Sequence, residues 1–130
     1  MKTLMIAAAA ALTPPSVPLK DKLQAAIWAD LQLNALIGNG NWLAALWYNA
    51  PAGDGQNLHI ADLLCGKHHA EQRCSFTLLR DGGPSMVLGQ PAPDKLVCDA
   101  RFTHSRDGWA VVHTPPRGHG HSQTTLKCKV

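Results

Sequence analysis

The first periodic pattern in the chain runs from Leu19 to Ile37, a stretch without glycine or proline that ends at Gly38-Asn39-Gly40. At about 100° per residue, its main apolar side chains fall within an arc of about 120°. They are Leu19, Leu23, Ala26, Ile27, Leu33 and Ile37. The spacing predicts an amphipathic helix with this face toward a core, and the glycines predict its end.

Asp30 lies in the middle of that apolar face, where a carboxylate is unusual. Either the helix is rotated slightly, or Asp30 lies at the rim of the core beside a basic group. The alternative is a buried functional carboxylate. The first interpretation is the commoner arrangement, and the pattern alone leaves the second open.

The next segments are less clearly periodic. Asn41–Ala50 (NWLAALWYNA) fits a short helix or a strand, and its aromatic residues, with Trp28, predict a bulky N-terminal part of the core. An aromatic ligand platform is the alternative. Pro51–Asn57 is typical of a polar, glycine-rich loop. His59–Leu64 fits a helical turn or a short strand.

The C-terminal half alternates with period two, which is typical of half-buried strands. Four segments show it: Cys74–Leu78, Leu96–Thr103, Trp109–Thr114 and Gln123–Val130. The turn-forming residues 81–84 and 105–108 separate them. We therefore predict an α+β domain, with one or two N-terminal helices packed on an antiparallel sheet of about four strands.

The N-terminus has the pattern of a secretory signal. Lys2 precedes the apolar run Leu4–Leu12, and Thr13-Pro14-Pro15 would break any helix. Ala9-x-Ala11 is an acceptable cleavage site, and a cut nearer Ser16 is also possible. We predict a signal peptide over 1–16, a single disulfide-stabilised domain over 17–130, and a periplasmic or secreted protein. A membrane tether and a buried helix are the alternatives, although no apolar run reaches the roughly 20 residues of a membrane span.

The four cysteines, Cys65, Cys74, Cys98 and Cys128, all follow that segment. An even number in a small exported chain is typical of disulfides, and the lack of a C-x-x-C spacing disfavours a redox site or a zinc ribbon. Four cysteines allow three pairings, which sequence alone does not distinguish. We favour Cys65–Cys74, closing a local loop, with Cys98–Cys128 joining two strands at apolar positions.

Histidine is the one residue type in excess, with seven in the chain. His119-Gly120-His121 is an H-x-H pair in a glycine-rich loop, and His113 ends the strand that enters this loop. A His113/His119/His121 site would suit zinc or copper, since imidazole binds both. His68-His69 with Glu71 is a second, weaker cluster. Solvent-exposed histidines that bind nothing are the alternative.

Charge and motifs exclude several functions. The net charge of +3 is spread along the chain, whereas a nucleic-acid-binding protein normally shows a basic stripe. The G-x-S-x-G, H-E-x-x-H, P-loop and G-x-G-x-x-G motifs are absent. A Ser/His/Asp triad is set by geometry in space, so composition cannot indicate one. Whether the protein is an enzyme stays open, and the motifs lean against it.

We therefore predict a small exported binding module without a required cofactor. The 115–122 segment (PPRGHGHS) would contact a protein, peptide or small ligand that the sequence does not identify. Arg117, His119, His121 and Ser122 are the predicted binding residues. A histidine-dependent zinc or copper protein of the cell envelope is the alternative, and a small hydrolase ranks third.

Overall fold

The computed structural model describes residues 12–49, 58–81, 85–87, 89–115 and 122–130. Within these residues two helices come first, α1 (Val17–Ile37) and α2 (Trp42–Asn49). Nine strands follow in the same described part of the chain. They are β1 (Leu58–His68), β2 (Glu71–Arg80), β3 (Ser85–Val87), β4 (Gln90–Ala92), β5 (Lys95–Ser105), β6 (Gly108–Val111), β7 (His113–Thr114), β8 (Gln123–Thr124) and β9 (Lys127–Lys129). The helix prediction is confirmed, and the segment that fitted either a helix or a strand contains the helix α2 over Trp42–Asn49.

The main sheet is antiparallel and has five strands in the order β1-β2-β5-β6, with β9 also pairing with β5. The predicted α+β class is confirmed, with five strands instead of about four. The additional strand of this sheet is the long β1, for which the sequence predicted only a helical turn or a short strand over His59–Leu64. Of the residues of β1, only Leu63 and Cys65 are buried. A register shift between Ala61 and Leu64 also interrupts its two-residue period. Both effects hide the alternation by which a strand is predicted.

Two predicted strands are each divided in the structure. Trp109–Thr114 becomes β6 and β7, and Gln123–Val130 becomes β8 and β9. The chain changes partners at both divisions, because β6 and β9 pair with β5 whereas β7 and β8 pair with each other. The β7–β8 pair therefore stands beside the main sheet as a separate two-stranded unit. A change of hydrogen-bonding partner along the chain does not alter the alternation of apolar and polar side chains. The two divisions could therefore not be predicted.

The core lies between the helices and one face of the sheet. Its largest fully buried apolar side chains are Leu23, Ile27, Leu31, Trp47, Phe76, Leu78, Leu96, Phe102 and Leu126. On α1 the buried stripe is rotated from the predicted one, since Leu31 and Asn34 are buried while Ile37 is 73% exposed. Of the aromatic group, Trp47 is buried and stacks on Trp28 with ring centroids 6.0 Å apart, whereas Trp42 is 64% exposed.

Both predicted disulfides are confirmed, Cys65–Cys74 between β1 and β2 and Cys98–Cys128 between β5 and β9. In each bond the two cysteines are direct partners across neighbouring antiparallel strands. Both bonds adjoin the core, where Cys65, Cys74 and Cys98 are buried. Most of the predicted signal peptide and the 51–57 loop lie outside the described residues. Among the described helices, none combines the length and the apolar character that a membrane crossing requires.

Candidate functional site

The 115–122 segment joins β7 to β8, and the structure describes its base. His113 pairs with Thr124 and Thr114 pairs with Gln123, and these four residues are here called the hairpin base. Arg117, His119 and His121 lie outside the described residues, so their binding role stays a prediction. Ser122, the fourth predicted binding residue, is partly exposed at the edge of the segment.

The hairpin base is held to α1 by a buried carboxylate. His113 Nε2 lies 2.6 Å from Asp30 Oδ1, and Thr124 Oγ1 donates to Asp30 Oδ2 at 2.6 Å. Asp30 is 2% exposed and His113 is 7% exposed. Since an ionised carboxylate only accepts hydrogen bonds, Nε2–H of His113 is the donor. One side chain of the helix therefore fixes a residue on each strand of the hairpin.

Asparagines of the α1–α2 turn complete this buried polar network. Asn39 Nδ2 donates to Asp30 Oδ1 at 3.3 Å, and Asn39 O accepts the Thr124 N–H at 2.8 Å. Asn34 Oδ1 accepts the Asn39 N–H at 2.9 Å, and Asn41 Nδ2 donates to Leu126 O at 3.0 Å. Buried polar groups are tolerated when they are hydrogen-bonded in this way. The turn, the helix and the hairpin base thus form one connected unit.

The network also aligns a serine, a histidine and an aspartate. His113 Nδ1 lies 3.3 Å from Ser122 Oγ, and its other nitrogen faces Asp30. With Nε2 as donor to Asp30, Nδ1 is positioned to accept the Ser122 hydroxyl proton. The ring is turned opposite to the usual serine protease arrangement, in which Nε2 faces the serine. The three residues have the order of a nucleophile, a base and an orienting carboxylate.

His113 was predicted as a metal ligand with His119 and His121. Both of its ring nitrogens lie within hydrogen-bond distance of protein side chains, so a metal ion would have to replace Ser122 or Asp30. Within the described part of the chain, no three His, Cys, Asp or Glu side chains are placed to hold a metal ion. Because His119 and His121 are not described, the zinc or copper site stays a prediction.

The remaining histidines lie away from the hairpin base. His104 is the direct partner of Trp109 across β5 and β6 and stacks on it with ring centroids 4.7 Å apart. His59 Nε2 lies 2.9 Å from Asp81 Oδ2 at an exposed position. His68 and His69 contact each other at the turn between β1 and β2. The histidines that the structure describes therefore do not form a single cluster.

Sequence reasoning flagged Asp30 but missed its partners Thr124 and Asn39, and it also missed Asn34 and Asn41, which extend the same network. The sequence signal that indicated this network was Asp30 itself. A carboxylate on an apolar helix face requires a hydrogen-bond donor from another part of the fold. Its main donors lie more than 80 positions away, at sequence separations of 83 for His113 and 94 for Thr124. Local periodicity carries no information about partners at that distance.

No protein-family model, no curated protein and no solved structure matches this chain. The interpretation of the site therefore rests on its own geometry.

Proposed function

We propose that this protein is a small exported binding module that presents the 115–122 segment to a partner. The observation that carries the proposal is the anchoring of both hairpin strands on one buried carboxylate, through His113 and Thr124 to Asp30. A loop on a fixed base can adopt its binding geometry with less loss of conformational entropy than a loop on a mobile base. Loops that are held by a rigid scaffold carry function disproportionately.

The composition of the segment supports contact with a partner. Arg117, His119, His121 and Ser122 supply donors and acceptors, and residues 115–122 contain no large apolar side chain that would be needed in the core. Export is part of the proposal and is supported by the Lys2-to-Pro15 pattern together with two disulfides.

The test replaces Arg117, His119 and His121 together by alanine in the mature, oxidised protein. Partners would be captured from envelope extract and identified by mass spectrometry, with Arg106→Ala, on the exposed β5–β6 turn, as the control. We expect the triple variant to lose a partner that the wild type and the control retain. Its stability should fall by no more than about 0.5 kcal/mol per site, as for ordinary surface changes. Equal capture by all three proteins would contradict the proposal, and unfolding of the triple variant would show a structural role.

A small hydrolase is the second candidate, and the Ser122–His113–Asp30 alignment favours it. In this mechanism Ser122 Oγ attacks an ester carbonyl while its proton passes to His113 Nδ1. The tetrahedral adduct then collapses, the bond to the leaving alkoxide breaks, and the same proton moves to the leaving oxygen. Water next attacks the acyl carbon and gives a proton to His113 Nδ1, the bond from the acyl carbon to Ser122 Oγ breaks, and that proton returns to Ser122 as the acid leaves. The imidazolium that forms transiently is stabilised by the Asp30 carboxylate.

A fluorophosphonate probe distinguishes the two candidates, because it labels activated serines covalently. A hydrolase requires labelling of the wild type that is lost in Ser122→Ala and kept in Ser105→Ala, a change at an exposed serine. An unlabelled wild type would eliminate the hydrolase and leave the binding module.

A further inference from the structure

The sheet face that turns away from the helices carries an excess of cations. Strand alternation places Arg73 of β2, Arg101 of β5 and Lys127 of β9 on this face. The register puts Arg73 directly opposite Arg101. Like charges directly opposite each other in a sheet are destabilising, so this pair favours an anion at the same place.

Glu71 neutralises only one of the two arginines. Arg101 Nε donates to Glu71 Oε1 at 2.8 Å and Nη2 donates to Oε2 at 3.3 Å, which engages both carboxylate oxygens. Arg73 is exposed, and among the described residues no ion pair includes it. The guanidinium of Arg73 is therefore the group through which this face can take a carboxylate.

Two shallow depressions meet at these arginines. One has a volume of about 510 Å³ and extends to His68 and His69, at the β1–β2 turn. The other has a volume of about 430 Å³ and extends through Lys127 to Thr114 and Gln123 of the hairpin base. Because both depressions are lined by Arg73 and Arg101, they form one continuous surface, here called the basic groove.

We propose that the basic groove binds an acidic, extended peptide segment of the partner whose other contacts are with the 115–122 segment. The inference rests on the proposed function and names the chemical class of the partner. The groove reaches the hairpin base, so a single partner can contact both. The 115–122 segment adds Arg117 and two histidines and contains no carboxylate, so its charge matches that of the groove.

The moderate charge of the groove favours a peptide over a nucleic acid. Glu71 and Asp99 lie among its cations and would repel a continuous row of phosphates. Carboxylates spaced along a peptide can avoid them, and a guanidinium binds a carboxylate through two parallel hydrogen bonds. Thr114 and Gln123 line the same groove and supply partners for peptide backbone groups.

The test measures binding of a short fluorescein-labelled peptide of alternating glutamate and serine to the full mature, oxidised protein at low salt. The same peptide with glutamine in place of glutamate, and a single-stranded oligonucleotide, serve as comparison ligands. The protein variants are Arg73→Gln in the groove, Arg106→Gln as the matched control outside it, and the Arg117/His119/His121 alanine variant. Circular dichroism would verify that each variant is folded.

We expect the acidic peptide to bind and the glutamine peptide not to bind. Arg73→Gln and the alanine variant should each weaken binding at least about tenfold, as for loss of a charge-assisted contact, while Arg106→Gln leaves it unchanged. Loss in the alanine variant alone would overturn the groove inference and keep the proposed function. Loss in Arg73→Gln alone would support the groove and contradict the role of the 115–122 segment. Equal effects of Arg73→Gln and Arg106→Gln, tighter binding of the oligonucleotide, or no peptide binding would each overturn the inference.

Discussion

Asp30 is the residue on which the hairpin base depends. A carboxylate that is 2% exposed would be strongly destabilising without donors, and here His113, Thr124 and Asn39 supply them. The same bonds make Asp30 a positioning residue, since it fixes the two strands from which the 115–122 segment leaves. An apolar residue would fill the space on α1 but would remove the acceptor of His113 Nε2–H and of the Thr124 hydroxyl proton.

Replacement of Asp30 by alanine should therefore cost far more than an average substitution. Removing one partner of a buried pair typically costs about 3–5 kcal/mol, so we expect Asp30→Ala to lower the free energy of unfolding by about 3 kcal/mol. Asp21→Ala is the matched control, since Asp21 lies exposed on the same helix, and it should cost no more than about 0.5 kcal/mol. Urea denaturation measures both. Similar costs for the two variants would show that the buried network does not anchor the hairpin.

Glu71 should make stability depend on pH in the acid range. The hydrogen bond from Arg101 holds its pKa below the ordinary value of 4.5, and the charges of Arg101, His68 and His69 act in the same direction, against a smaller effect of burial. Because the folded-state pKa is the lower one, this stabilisation is full above the unfolded pKa and is lost as pH falls through the folded pKa. The pair is partly exposed, so we expect it to contribute no more than about 1 kcal/mol.

Urea denaturation of the wild type and Glu71→Gln at neutral pH and at about pH 3 tests this dependence. The two proteins should differ at neutral pH, and the difference should shrink in acid as Glu71 is protonated. Asp107→Asn, at an exposed turn position, controls for the loss of one negative charge. A difference that stays constant from neutral to acid pH would contradict the ion-pair assignment.

At the scale of helices and strands, prediction succeeded where burial is one-sided and regular. On β5, Leu96, Cys98, Ala100 and Phe102 alternate without interruption, and all four are buried while the residues between them are exposed or partly exposed. The Asp81–Pro84 turn prediction falls partly outside the described residues, whereas the turn at 106–107 is confirmed. The full length of β1 could not be predicted, because a bulge interrupts its two-residue period. The buried network could not be predicted either, because hydrogen bonds between distant parts of the chain leave no local pattern. The proposed groove likewise depends on strand register, which brings Arg73 and Arg101 together from separate segments.

The two disulfides connect different lengths of chain and should stabilise the fold unequally. The sequence separation is 30 residues for Cys98–Cys128 and 9 residues for Cys65–Cys74. In the chain-entropy model, the longer loop gives about 3.5 kcal/mol and the shorter about 2.5 kcal/mol. We expect replacement of the Cys98 and Cys128 pair by alanine to cost about 1 kcal/mol more than the same change at Cys65 and Cys74. Urea denaturation of the two double variants measures this. The reverse order would show that strain or local packing outweighs loop entropy.

The whole molecule combines a helix-covered sheet face with a polar face that ends at the hairpin base. Asp30 fixes the hairpin base from the helix side, and Thr114 and Gln123 of the same base line the basic groove on the other side. The two proposed binding elements therefore share one rigid base. Their disulfide-stabilised scaffold suits a protein that acts outside the reducing cytosol.

The export prediction includes a cleavage position, which can be measured. We expect the protein from its native host to begin between Leu12 and Leu19. Within this range the backbone of Thr13 favours Leu12, because Thr13 N–H donates to Cys65 O at 2.9 Å and Thr13 O accepts the Cys65 N–H at 2.8 Å. A cut after Ala11 keeps this bridge to β1, whereas a cut at Ser16 removes it.

N-terminal sequencing and intact mass together test the export prediction. The exported protein should start between Leu12 and Leu19 and lack four hydrogens relative to the reduced chain, since both disulfides are closed. A matched Ile6→Asp variant, which breaks the apolar run Leu4–Leu12, should stay in the cytosol with Met1 or Lys2 at its N-terminus and with reduced thiols. A wild-type protein that keeps Met1 in the cytosol would contradict export. A start at Ser16 or beyond would keep export and show that the Thr13–Cys65 bridge is dispensable for the mature fold.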